Sequence, residues 1–170
     1  MRIRREAPED HATVRQVVES AFAKAEMSDG AEQDLVERLR KGAAFIPELS
    51  LVAEDHDGRI VGHVMFTRAH VAVVEVLALA PLSVHPDHWN QGIGSALVRA
   101  GHAEAKRLGF GWSVVLGSSR YYPRFGYKPA AGFGIKAPFE APNDCFMAVK
   151  LMESAPELQG VMEYAPEFGI

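Results

Sequence analysis

The chain has 170 residues, 48% of them hydrophobic, enough for one domain with a sizeable core. A formal net charge of -4 argues against a protein that grips nucleic acid through a broad basic surface. No stretch approaches the ~18 uninterrupted apolar residues of a membrane span, and the one cysteine, Cys145, cannot form an internal disulfide. A soluble, cytoplasmic protein with no membrane or nucleic-acid partner is expected, with Cys145 a buried thiol in the apolar run 145–149.

Residues 1–6 read as a short strand. A helix opens at Pro8, with Glu9 and Asp10 in its first turn, where proline and acids are favoured. Val14, Val17, Val18, Ala21 and Phe22 fall on one face of it. A second helical stretch, 24–41, carries Glu26, Asp29, Glu32, Asp34 and Glu37 around a thin apolar stripe, and Gly42 ends it. The acids admit two readings, a solvated helix face or a border that attracts a cationic ligand; the first is simpler.

From Leu49 the pattern is that of strands: 51–53, a turn at Asp57-Gly58, then 60–66. A further apolar run, 71–79, follows the polar residues 67–70 and leads into Leu82 and Val84. Three antiparallel strands are therefore expected in succession. Pro81 cannot donate to a ladder, so this last strand should part from a neighbour close to it and leave free backbone groups beside a crevice.

The chain then turns through Asn90-Gln91-Gly92-Ile93-Gly94-Ser95 into a helix whose apolar positions are Ile93, Leu97, Val98, Gly101, Ala105 and Leu108. Glycines at a helix start let backbone N–H groups approach an anion closely, and a phosphate or pyrophosphate is the natural guest. The loop lacks the Lys-Ser/Thr ending of a P-loop and the third glycine and downstream acid of a dinucleotide fold. A buried strand at 112–117 follows, which shares a right-handed parallel crossover with the preceding strand.

Next come the aromatic-rich residues 118–129, a possible short strand at 133–135, and a last clear strand within 145–152. The tail, 153–170, reads as an extended arm with a strand near 161–164. Its apolar residues Leu158, Val161, Met162, Tyr164 and Phe168 are available either to cover the domain's own sheet edge or to meet a second subunit in a homodimer.

Val84-x-Pro86 followed by Gly92-Ile93-Gly94-Ser95-Ala96-Leu97 resembles the acetyl-CoA-binding motif of the GNAT superfamily of N-acetyltransferases. The family pattern is Arg or Gln, any two residues, Gly, any, Gly or Ala; here Trp89 stands at the first position. Tyr122 with Gly126 and Tyr127 resembles the second family signature, with Ser118-Ser119 where one bacterial group usually carries Asp-Pro. The resemblance implies a mixed α/β fold, with a mostly antiparallel sheet and one parallel β-α-β crossover, over residues 1–152. The arm, 153–170, would pack on the same domain.

The activity implied is acetyl transfer from acetyl-CoA to an amine of a small molecule or peptide, without a metal. Leu82, Ser83 and Val84 would hold the pantetheine arm by backbone, and the amides of Asn90, Gln91, Gly92, Ile93, Gly94 and Ser95 the pyrophosphate. A backbone N–H near Leu82 would meet the oxyanion.

Tyr122 is the candidate general acid, with Tyr121 its nearest rival; a phenol of pKa ~10 stays protonated at neutral pH. Glu75 is the candidate base for an amine that arrives protonated, with His63 and His70 as alternatives by type; a solvent-facing strand-end acid is the plainer reading of Glu75. His85, Asp87 and His88 are too crowded to suggest a metal site. Rival functions are a non-catalytic acyl-CoA-binding module and an O-acyl or longer-chain acyltransferase on the same fold.

Overall fold

The computed structural model describes residues 1–25 and 28–170. The strands are β1 (Arg2–Arg5), β2 (Ser50–Glu54), β3 (Ile60–Val71), β4 (Val74–Val84), β5 (Trp112–Leu116), β6 (Lys128–Pro129), β7 (Ile135–Lys136), β8 (Phe146–Lys150) and β9 (Gly160–Glu163). The helices are α1 (His11–Phe22), α2 (Glu32–Arg40) and α3 (Ile93–Arg107).

The main sheet runs β1-β2-β3-β4-β5-β8-β6. Its neighbours are antiparallel except β4 and β5, which are parallel and joined through α3. This is the expected mixed fold: β2, β3 and β4 pair in antiparallel succession before the glycine loop.

One boundary differs from the sequence pattern. The polar residues 67–70 do not break a strand; β3 continues through them to Val71, and the hairpin turns at Ala72-Val73, with Ala72 at φ 52°. Thr67 and Ala69 point into the protein while Arg68 and His70 point outward, so the strand period is kept where no helix covers the outer face.

Two layers of helix bury the sheet. On one face Leu97, Val98 and Ala105 of α3 pack on Val64, Phe66, Leu77 and Leu79. Gly101 makes this approach possible: a Cβ there would stand 2.6 Å from Phe66 Cζ. On the other face Val14 and Val18 of α1 and Val36 and Leu39 of α2 cover Val52 and Met65. Farther along that face the tail takes over, with Leu158 and Met162 packed against Val71, Val76 and Trp112. β9 pairs with the end of β3, so this stretch covers an edge of its own sheet, while Val161 stays half exposed.

The acids of α2 do local work. Asp34 and Glu37 each lie 2.9 Å from Arg15 of α1 and tie the two helices; Glu26 lies outside the described residues. Beneath α1 and α2, Glu6 takes a two-pronged ion pair from Arg40 and a 2.9 Å hydrogen bond from Ser50 Oγ. Ser50 Oγ also lies 2.9 Å from His63 Nε2. Because the carboxylate only accepts, the Ser50 hydroxyl donates to Glu6 and accepts from His63 Nε2–H. His63 is neutral: burial lowers its pKa to about 4 and outweighs the pull of Glu6 3.8 Å away. Cys145 is not the core residue that its apolar neighbours suggest; it is half-buried just before β8.

Candidate active site

β4 and β5 pair only at Leu77↔Ser113 and Ala78↔Val114, then part. The separation begins just before Pro81, as the sequence predicts. Opposite, β3 shifts register: Val64 faces Leu82 but Phe66 faces Leu79, so Ala80 and Pro81 stand against Met65 alone, a bulge.

Backbone direction beyond the bulge follows from two hydrogen bonds. His85 N–H donates to Val61 O of β3 at 2.8 Å. Alternate residues face alternate sides, so the backbone of Ser83 also turns to β3. The N–H and C=O groups of Leu82 and Val84 turn the other way, into the space that β5 has left. Val84 O is taken by Trp89 Nε1 at 2.7 Å, which leaves Leu82 N–H, Leu82 C=O and Val84 N–H. Ser83 thus differs from expectation: its backbone faces β3 and its side chain is buried on the helix-covered face, with no partner for Oγ.

The loop after β4 builds a second set of donors. His85 Nδ1 accepts from Asp87 N–H and caps a short 3-10 turn at Pro86–His88. Asn90 (φ 61°) and Gly92 (φ 80°) then take left-handed conformations that reverse the chain into α3. The first α3 hydrogen bond runs from Ala96 N–H to Gly92 O. The N–H groups of Ile93, Gly94 and Ser95 precede it and have no intrahelical acceptor. They open, with Leu82 and Val84, onto one cleft of about 420 Å³. Trp89 and Asn90 stand on its rim, and Gln91 is exposed outside it.

The two tyrosines divide. Tyr122 starts a 3-10 turn, Tyr122–Phe125, that ends at Gly126 in a left-handed conformation. Its ring lies against Gly117, where a Cβ would come within 2.9 Å of Cδ2. Gly117 directly follows β5, so this ring lies at the end of the strand that has parted from β4. Burial pushes the Tyr122 phenol well above its usual pKa, and Tyr121 adds to the shift.

Tyr121 packs edge-to-face on Tyr122 at 5.1 Å, and its hydroxyl occupies the notch left by the missing side chain of Gly94. Tyr122 packs behind Tyr121 and is not among the lining residues, whereas Tyr121, its rival, lines the cleft together with Arg124, which spacing alone did not single out. The available signal was their i, i+3 relation on a 3-10 turn, where side chains eclipse.

Glu75 is not brought to this place. It lies at the β3–β4 hairpin, seven residues before Leu82 and so roughly 20 Å along the strand. There it stands 3.7 Å from Arg68 and 4.0 Å from His70, half exposed. His70 shares that cluster, and His63 is sealed beneath α1. No carboxylate is among the described residues lining the cleft.

Parted parallel strands beside an amide-rich helix start are the architecture that the sequence resemblance implies, and comparison with known proteins agrees. Residues 47–129 match the model of the acetyltransferase (GNAT) domain. The chain is 35% identical over 159 residues to the uncharacterized N-acetyltransferase YjhQ of Escherichia coli, covering 89% of this chain and 84% of that one. Among solved structures, the GNAT acetyltransferase YhbS of Escherichia coli in complex with CoA superposes with a TM-score of 0.89 at 28% identity, over 99% of this chain and 92% of that one. A GNAT acetyltransferase of Brucella melitensis in complex with acetyl-CoA gives 0.82 at 34% identity, over 98% and 97%. The chain belongs to the GNAT family of acetyltransferases.

Proposed function

We propose that this protein transfers the acetyl group of acetyl-CoA to a primary amine of a small molecule or peptide, by direct attack within the cleft that opens beside Leu82 and Val84 of β4 and the start of α3. The observation that carries this reading is the set of backbone groups on Leu82 and Val84 that are unpaired among the described residues and open, with the free amides of α3, onto one cleft. The fit to the cofactor is chemical: an extended arm with amides suits a strand edge that lacks a partner, and a pyrophosphate suits the N–H groups of Ile93, Gly94 and Ser95.

In the reaction the thioester supplies an activated acyl group. The amine nitrogen bonds to the carbonyl carbon, the C–S bond breaks, and the amine loses a proton. Leu82 N–H donates to the oxygen as it gains charge, a dipole fixed in place by the β3–β4 pairing.

Tyr122 offers its hydroxyl to the sulfur. Full proton transfer from a phenol held above pKa ~10 to a thiolate whose thiol has pKa ~8.5 is uphill by roughly 2 kcal/mol or more. Tyr122 therefore acts first as a hydrogen-bond donor to the developing thiolate, and the proton released by the amine drives completion. With no carboxylate lining the described cleft, the amine reaches the site after losing its proton to water, and turnover should rise with pH toward the amine's own pKa of ~10.4.

The test is acetyl-CoA turnover against a panel of amines, read as free thiol, with Tyr122→Phe in parallel. Turnover by the wild type and a loss of ~10²-fold or more in kcat for the variant support the reading. CoA binding without turnover on any amine would return the protein to the class of acyl-CoA-binding modules.

A further inference from the structure

We propose that Arg124, stacked on Tyr121, supplies the fixed positive charge of the cofactor cleft and meets the pyrophosphate at the start of α3. This rests on reading the cleft as the acetyl-CoA site.

The loop itself brings no permanently charged cation; of its side chains that line the cleft, only the His88 imidazole can take up a proton. At position 89, where the resembling motif carries Arg or Gln, the chain has Trp89, and its one polar hydrogen is spent on Val84 O. Gln91 is exposed outside the cleft. Three backbone amides of α3 remain, which carry partial charges only, against a diphosphate with about two full negative charges.

Arg124 is the only Arg or Lys among the described residues lining the cleft. Its Nε donates to Tyr121 O at 3.0 Å, and its guanidinium carbon lies 4.6 Å from the centre of the Tyr121 ring. These two contacts fix the plane of the guanidinium but leave its Nη groups uncommitted. No carboxylate lies within 4.0 Å of it among the described residues, so its charge is not already neutralised.

The Tyr121 hydroxyl points at Gly94, so one aromatic ring spans from the phosphate-facing turn of α3 to the guanidinium. A cation held on a ring face loses little freedom when it meets a phosphate, and a planar fork matches phosphate oxygens. Other arginines do not substitute: Arg99 lies over Phe125 at 5.2 Å and lines a separate groove with Lys106.

Binding of CoA and of dephospho-CoA, which lacks the 3′-phosphate but keeps the pyrophosphate, is measured by calorimetry for the wild type, Arg124→Gln and Arg124→Lys at low and high salt. The expected result is a ten-fold or greater rise in Kd for Arg124→Gln with both ligands, a smaller rise for Arg124→Lys, and shrinkage of both effects at high salt. The thermal midpoint without ligand stays within about 1 °C, because Arg124 is exposed and makes no ion pair among the described residues.

Equal affinity of wild type and Arg124→Gln would overturn the proposal. So would a loss confined to CoA, which would move the guanidinium to the 3′-phosphate, or a loss insensitive to salt, which would make its role one of packing. Failure of the wild type to bind either ligand would instead refute the cofactor reading itself.

Discussion

Gly117→Ala tests the positioning of Tyr122 without touching its hydroxyl. Gly117 does not occupy a left-handed backbone conformation, so alanine there costs nothing in dihedral strain. The added Cβ is the whole perturbation. It would stand 2.9 Å from Tyr122 Cδ2 and closer still to Cε2, where comfortable carbon contacts need about 3.5–4.0 Å. The ring must retreat by about 1 Å, and it cannot do so freely, because Tyr121 and Tyr127 hold it edge-to-face at 5.1 and 5.7 Å. A misplacement of ~1 Å in a catalytic group costs on the order of 10²-fold in rate.

The assay is kcat at saturating acetyl-CoA, with CoA affinity measured in parallel. Gly117→Ala should lower kcat about 100-fold, leave Kd for CoA within two-fold, and add nothing to Tyr122→Phe in the double variant. Should Gly117→Ala keep kcat within three-fold of wild type, the placement of the acid on Tyr122 fails. Should it weaken CoA binding instead, the ring belongs to the binding wall.

Three further outcomes are expected. Gly101→Ala gains ~1 kcal/mol of helix propensity but drives a Cβ into the buried Phe66 ring, so overpacking of ~1–3 kcal/mol should leave a net loss read as a lower denaturant midpoint; Gly101→Val should cost more. Arg40→Ala leaves the buried Glu6 carboxylate, which Arg40 and Ser50 hold below its usual pKa against the opposing effect of burial, without its cation; unfolding free energy should fall by ~3–5 kcal/mol, and a loss under 1 kcal/mol would contradict this account. His63 and His102 are neutral in the fold, each with its pKa lowered by burial from 6.5 to about 4. The unfolded chain binds more protons than the native state between those values, so this stability is intact above pH 6.5 and lost as pH falls toward 4, by about 3 kcal/mol for fully buried His63. A thermal midpoint that stays flat from pH 6.5 to 4.5 would count against it.

Local pattern determined most of this protein. Apolar periodicity locates α1, α3 and the strands that carry the core, because helical spacing and strand alternation are properties of neighbouring residues. The glycine loop was legible for the same reason: left-handed Gly92 and the small Gly94 are written into the sequence. The second helix, expected over 24–41, spans only Glu32–Arg40, where its apolar stripe of Leu35, Val36 and Leu39 lies, and the short strand expected at 133–135 is a 3-10 turn, Ala130–Phe133, followed by Ile135–Lys136. Pro81 marked where β4 parts from β5, since a residue without N–H cannot sit in a continuous ladder. The polar residues 67–70 misled, because outward-facing side chains on a long strand resemble a loop when the covering layer is unknown.

What only the tertiary structure decided are relations between segments distant in the chain. Tyr121 and Tyr122 are neighbours of one type, and which ring enters the space left by Gly117 and which reaches Gly94 depends on how the turn after β5 lands on α3. Glu75 lies in the same strand as Leu82, yet strand length carries it to the opposite end of the sheet. Arg124 lies among aromatics in the sequence, and a cation acquires meaning only from what faces it, here a cleft whose own loop brings no Arg or Lys.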